Sequence, residues 1–188
     1  QDNETITKDS LTGSIYVANF FFTSCPSICP IMTRNMSYLQ DKLSVFPNIR
    51  FLSHTVDPVN DTPDKLKSYV RLMQQKNINI NLSNWDFVTG DKDKLYQSAA
   101  NYFVNASVDS LAPGGFLHSE YFILIDKQGR VRSGIDKNGN AVGAYDGTNE
   151  VQMKDLINDI NVLMAEYKRP LKNDKDKIIF FSHFNDLL

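Results

Sequence analysis

Cysteine is scarce in this chain: its 188 residues hold two, Cys25 and Cys29. One short local bridge cannot hold a chain of this length together, so a disulfide-stapled miniature fold is excluded. A basic surplus is also missing. Lys and Arg number 20 against 22 Asp and Glu, for a net charge of −2. Nothing there neutralises a run of phosphates, which argues against nucleic acid and against strong attraction to an anionic membrane surface. No apolar run reaches the roughly 20 residues that a membrane-crossing helix needs. No signal peptide is visible, and because the sequence starts at Gln1 rather than Met this says little about any targeting segment upstream. Repeats and low-complexity tracts are absent too.

What is present suits one globular domain: 41% of the residues are hydrophobic and 22% charged. Apolar runs rich in β-branched and aromatic residues alternate with helical patterns, which predicts an α/β fold with a central sheet. Ile15 to Phe22 is continuous enough for a strand buried on both faces. The helix after it, opened by Pro30, carries Met32, Met36, Leu39 and Leu43 on one stripe, which marks both methionines as core rather than ligands. Ile49 to Val56 is a second strand. Thr62-Pro63-Asp64 then reads as N-cap, first helical residue and an acid at the positive helix end. Leu66, Tyr69, Val70 and Met73 form the buried stripe of that helix.

Trp85 to Val88 reads as a short strand. Asp91 caps a helix bearing Leu95, Ala99, Tyr102 and Phe103. Asn105 to Leu117, with Pro113-Gly114-Gly115, reads as a loop. Tyr121 to Ile125 is a strand, Asp126-Lys127-Gln128-Gly129 a hairpin turn, and Arg130 to Ile135 the return strand. A last helix spans Glu150 to Tyr167, with Leu156, Ile160 and Leu163 inward. Two βαβ units, an antiparallel hairpin and a closing helix predict a thioredoxin-like three-layer α/β/α sandwich with a mixed sheet. Residues 1–170 form this domain. Residues 171–188 read as a charged linker and an apolar tail, Ile178 to Phe181, with no obvious place in the core.

The chemistry gathers at Cys25-Pro26-Ser27-Ile28-Cys29-Pro30, where a buried strand hands over to a helix. Unpaired backbone N–H groups at a helix start favour thiolate over thiol, so both cysteines are expected to be more acidic than a free one. Residues four apart on a helical turn lie on one face, and both sulfurs can converge on one atom. Two thiolates with one imidazole form a soft, low-coordinate set that suits copper, while a structural zinc site asks for four ligands. The imidazoles available are His54, inside the second strand, His118, at the end of the Gly-rich loop, and His183, in the tail. An acidic thiol pair could instead exchange disulfides or attack peroxide as a single nucleophile.

At these residues the chain resembles the Sco/SenC/PrrC family, copper proteins that help assemble cytochrome c oxidase. The stretch Phe20-Phe21-Phe22-Thr23-Ser24-Cys25-Pro26-Ser27-Ile28-Cys29-Pro30 is similar to its signature. Val56-Asp57-Pro58-Val59-Asn60-Asp61-Thr62 is similar to its second motif, and Trp85 with Thr89-Gly90-Asp91 to its third. Leu117-His118-Ser119 falls where that family places its histidine ligand. The resemblance implies copper, as Cu(I) or Cu(II), on Cys25, Cys29 and His118, with Asp57 supporting the site or its partner contacts. Asp57 reads equally well as a turn carboxylate before Pro58. Asp61 reads as a turn or capping residue.

The resemblance further implies a metallochaperone serving the dinuclear copper (CuA) centre. Its partners would be the copper-bearing oxidase subunit and a copper donor. It implies an extracytoplasmic place, the bacterial periplasm or the mitochondrial intermembrane space, with a membrane anchor outside these residues. A thiol–disulfide oxidoreductase acting on copper-site cysteines is the alternative. Against it stand the three-residue spacer, where thioredoxin has two, and the lack of a proline in Leu117-His118-Ser119. The family's extra N-terminal hairpin would have its turn at Gln1-Asp2-Asn3-Glu4, and its first strand is not in this sequence.

Overall fold

The computed structural model describes residue 2 and residues 4–104, 106–108, 116–135 and 138–168. The elements run α1 (Lys8–Leu11), β1 (Ile15–Phe21), α2 (Ile28–Lys42), β2 (Ile49–Thr55), α3 (Pro63–Gln75), β3 (Trp85–Val88), α4 (Lys92–Asn101), β4 (Ala106–Val108), β5 (Phe116–His118), β6 (Tyr121–Ile125), β7 (Val131–Arg132), β8 (Tyr145–Asp146) and α5 (Glu150–Lys168). The main sheet has the order β3-β2-β1-β6-β7, with β8 also paired to β6. β1, β2 and β3 are parallel, and β6 is antiparallel to β1. β4 and β5 form a separate two-stranded ribbon.

β1 sits in the centre of the sheet and all seven of its residues are buried. That is why it reads as a continuous apolar run rather than an alternating one. Successive side chains still point to opposite faces. Phe21 meets Tyr69 of α3 at 5.4 Å between ring centroids. Phe20 meets Tyr102, just past α4, at 6.0 Å. α2 bonds to α3 through Thr33 and Tyr69, whose hydroxyl oxygens are 2.7 Å apart, and packs along α5. Helices therefore cover both faces, which is the three-layer sandwich that the element order predicts.

Local sequence fixes the boundaries. Thr62 accepts from the Lys65 N–H and Pro63 opens α3. Asp91 accepts from the Lys94 N–H and caps α4. The stripe Met32, Met36, Leu39 and Leu43 is buried throughout, so both methionines are core. The hairpin turn closes on Gly129 at φ 76°, with the Asp126 carboxylate accepting from the Gln128 and Arg130 N–H groups.

Several expectations need correction. α2 begins at Ile28, so Pro30 is its third residue rather than its first. A third helical position has no intrahelical acceptor for its N–H, so proline costs nothing there. The Asn105 to Leu117 segment is not all loop: β4 and the start of β5 lie within it and pair in register Ala106 to His118. Three-residue strands are too short for a periodicity to show. The return strand is only Val131–Arg132, followed by an isolated bridge from Ile135 to Ala141. Phe103 lies outside α4 and is 65% exposed. α1 and β8 give no signal in the sequence for the same reason of length. The apolar tail and His183 lie outside the described residues, as do Gln1 and Asn3 of the expected N-terminal turn.

Candidate metal centre

The two cysteines stand where β1 ends and α2 begins. β1 stops at Phe21, and Cys25 N donates to the Phe22 carbonyl at 3.2 Å, which turns the chain. Ser27 is the residue before α2, but its side chain makes no cap bond to the helix. Its Oγ lies instead 3.7 Å from Cys25 Sγ. Cys29 is the second residue of α2. Neither cysteine is in a disulfide; Cys25 is 8% exposed and Cys29 0%. The shallower one is thus the one a partner can reach. Ser24, Pro26 and Ser27 beside it are exposed.

The thiols interact directly. A hydrogen bond with Cys25 is the largest influence on Cys29, and it pushes the Cys29 thiol well above the usual cysteine range. Burial, the charge of Cys25 and the charge of Asp61 push the same way, while a backbone hydrogen bond from Phe22 opposes them. The expectation of two acidic cysteines therefore fails for Cys29. The helix start is present, but the second thiol is too deeply buried and too close to the first to ionise easily. Two sulfurs that share a proton without metal are placed to share a cation in its stead.

Beneath the sulfurs lies a buried polar layer. Thr33 Oγ1 donates to the Cys29 carbonyl at 2.9 Å and contacts the Tyr69 hydroxyl. Burial raises the Tyr69 pKa, and charge on Cys29, Cys25 and Asp61 raises it further. Asp61 is fully buried. Its carboxylate accepts from Thr23 N at 3.0 Å, from Thr23 Oγ1 at 2.5 Å and from Thr55 Oγ1 at 2.5 Å. Sequence reasoning passed over Thr23, Thr33 and Tyr69, and gave Asp61 only a turn role. Tyr69 was hidden by its place on a helical stripe, where an aromatic reads as core.

Asp57 is buried at the end of β2, and both its oxygens accept from the Asn60 amide, at 3.0 and 2.8 Å. Its carbonyl accepts from the Asn60 and Asp61 N–H groups. The carboxylate is thus held in the turn by the Asn60 side chain, not by the backbone N–H groups that the turn reading expected. His118 closes β5 opposite Ala106. Phe116, two residues earlier, packs its ring on Phe22 at 5.2 Å, so β5 begins against the segment that leads into Cys25. His54 is elsewhere, sandwiched in the core by Phe20 at 5.0 Å and Tyr102 at 5.7 Å. Among the described side chains no group of three or more His, Cys, Asp and Glu gathers for a metal. No described helix is long and apolar enough to cross a membrane.

The SCO1/SenC family model matches residues 1–152. The chain belongs to the SCO1/SenC family. The SCO1 protein homolog of Bacillus subtilis (strain 168) is 30% identical over 162 residues, which is 85% of this chain and 76% of that relative. Among solved structures, the chain is similar to BsSco, a member of the Sco family of cytochrome c oxidase assembly proteins in which a disulfide switch has been identified. Identity there is 29% and the TM-score 0.67, over 87% of this chain and 88% of that one. Arabidopsis thaliana ScoI, solved with copper bound, shares the fold at TM-score 0.63 and 21% identity, over 86% and 92% of the two chains. The thioredoxin-like architecture is that of the family.

Proposed function

We propose that this SCO1/SenC chain binds one copper ion between Cys25 and Cys29, takes His118 as the third ligand, and delivers the metal to the copper-bearing subunit of cytochrome c oxidase from a donor protein. The observation that carries this reading is the contact of the two thiols across the turn that leads into α2. Two thiolates hold Cu(I) well, and an added imidazole accommodates Cu(II). The packing of Phe116 on Phe22 supports His118, because it sets β5 beside the cysteine turn. Copper here is cargo. Few ligands, one sulfur shallow and the turn beside it exposed, suit release by ligand exchange to a partner's thiolates. The place of work is extracytoplasmic. Asp57 supports the site by shaping the turn after β2.

An anaerobic titration of the fully reduced chain with Cu(I) and Cu(II), run beside His118→Ala, tests the reading. One tight equivalent per chain is expected, with a thiolate-to-Cu(II) charge-transfer band that the variant loses. Cu(I) should be held more nearly as before, since two thiolates can bind it linearly. Absence of tight copper in the parent chain would end the proposal.

A second reading, thiol–disulfide exchange, is favoured by the same contact, because two adjacent thiols close readily into a disulfide. The redox pair would be Cys25, the more exposed, and Cys29. Rapid reduction of a disulfide substrate by a chain that binds no copper would select it.

A further inference from the structure

Asp61 belongs neither to the expected ligand set nor to the expected supporting residues, yet it is buried completely and spends its carboxylate on the cysteine turn. One oxygen accepts from the Thr23 backbone N–H at 3.0 Å and from Thr55 Oγ1 at 2.5 Å. The other accepts from Thr23 Oγ1 at 2.5 Å. Three short bonds thus join three pieces of chain: the turn two residues before Cys25, the last residue of β2, and the lead-in to α3. Asp61 is itself tied down, since its N–H donates to the Asp57 carbonyl at 2.8 Å and the next residue is the N-cap of α3. A buried carboxylate is normally placed near a cation. The donors that hold this one are an amide and two hydroxyls, all of them on the segments that frame the thiols.

We infer that Asp61 is a positioning residue for the copper site: its carboxylate clamps the Thr23 turn to the end of β2 and so fixes Cys25 against Cys29. The copper half of this inference rests on the function proposed above, but the clamp on the turn does not. Groups that orient ligands from behind typically change metal affinity by roughly 10- to 100-fold when removed. The clamp needs acceptors on both carboxylate oxygens. Asparagine at 61 keeps the volume but removes the charge: with its N–H₂ toward Thr23 Oγ1 that bond must reverse direction, and the two bonds left on its oxygen lose the charge assistance that makes a carboxylate acceptor roughly twice as strong.

The test compares Asp61→Asn, Thr23→Val and Asp126→Asn in the reduced chain. Asp126 is an equally buried aspartate at the other end of the sheet, and its variant controls for general loss of stability. Alkylation of Cys25 by iodoacetamide, followed by mass spectrometry, reads how firmly the turn is held without any metal. Competition with a chromophoric chelator reads Cu(I) affinity. Asp61→Asn should be alkylated faster and bind Cu(I) about 10- to 100-fold more weakly. Thr23→Val, which loses one of the three bonds, should shift both readouts in the same direction by less. Asp126→Asn should match the parent in both while melting at a lower temperature. If folded Asp61→Asn keeps the parent's alkylation rate and affinity, or if Asp126→Asn moves both as far, the clamp is refuted. Should Asp61→Asn not fold, Thr23→Val decides by the same two readouts. Should the parent bind no copper, the functional reading fails, and the alkylation rates alone still judge Asp61.

Discussion

The sheet ends in a buried aspartate at each side of β1, and the two are treated differently. Asp126 lies beside the N-terminal end of β1, where Tyr16 pairs with Ile125. Its carboxylate takes two backbone N–H groups and ion pairs from Arg130 at 3.1 Å and Arg132 at 3.3 Å. Arg132 goes on to Glu166 of α5 at 2.8 Å, which locks the hairpin to the last helix. Asp61 lies beyond the C-terminal end of β1 and is held by one amide and two hydroxyls. Its charge is felt by Cys29 instead of being cancelled by an arginine. The arginine-clamped end is built for cohesion. The other end keeps polar groups around two thiols and leaves one thiol near the surface. Concave sites of α/β sheets form at the carboxyl ends of parallel strands, and that is the end where the two thiols lie.

The sharpest way to break this contrast is to remove a sulfur. Cys25→Ala or Cys29→Ala should abolish tight copper binding and leave the fold in place, because each deletes one sulfur while the surrounding core side chains stay. Anaerobic titration checks the first statement and circular dichroism the second. Retention of the parent's affinity by either variant would sink the two-sulfur site. At the other end, Asp126→Asn should cost about 1.5–3 kcal/mol of stability, since Arg132, with 11% of its side chain exposed, keeps Glu166 but loses its charge-assisted bond to Asp126. Chemical denaturation measures the loss. A small loss would mean that the arginines find solvent easily, and that this end is less closed than its bonds suggest.

His54 gives a third test, this time of the core between the two ends. It is buried against Phe20 and Tyr102, Nδ1 has no hydrogen-bond partner among the described residues, and burial lowers its pKa to about 4. The unfolded chain takes up a proton near the usual pH of about 6.5 that the folded chain refuses until about 4. The stabilising contribution is therefore complete above pH 6.5 and is lost progressively as pH falls toward 4, by up to about 3 kcal/mol. His54→Phe keeps a ring in the stack and should remove this slope. Urea unfolding across pH 4–7 would show it. A slope unchanged in His54→Phe would assign the acid sensitivity to other groups.

The sequence was most legible where one physical cause acted alone. Thr62-Pro63 and Asp91 cap their helices as their side chains demand. Trp85–Val88 and Tyr121–Ile125 are strands over the expected residues. The cysteine turn was legible only in part: the two thiols do interact, but Cys25 to Ser27 form a bend ahead of α2 rather than the helical turn that the spacing suggested. Legibility failed where tertiary contact overrode local preference. The acidity expected at a helix start is overturned at Cys29, because burial and a neighbouring thiol act through space. Asp61 looks like any residue before an N-cap until the fold brings Thr23 and Thr55 to it. The two faces of β1 also conceal their roles, as Phe20 and Phe21 are alike in sequence but serve opposite layers.

The smallest expected effect concerns Phe103, two residues past the end of α4. It has φ 60°, the left-handed conformation that bulky residues avoid. The hydrogen bonds explain it: Val104 N donates to Ala99 O at 2.9 Å and Phe103 N to Ala100 O at 3.0 Å, the helix-ending pattern that usually places glycine at this position. The ring itself is 65% exposed. The ribbon that carries His118 follows directly, so this strain sits at the site end of the molecule. Phe103→Gly should relieve a left-handed penalty of roughly 1–2 kcal/mol and give part of it back in unfolded-chain entropy, for a net gain of about 1 kcal/mol. Thermal and urea unfolding would measure it, with copper affinity expected to stay unchanged. A loss of stability would show that the ring's contacts outweigh the strain. A gain in stability paired with weaker copper would show that the strained turn holds the ribbon in place for the metal, and would extend the contrast between the two ends from charge to backbone.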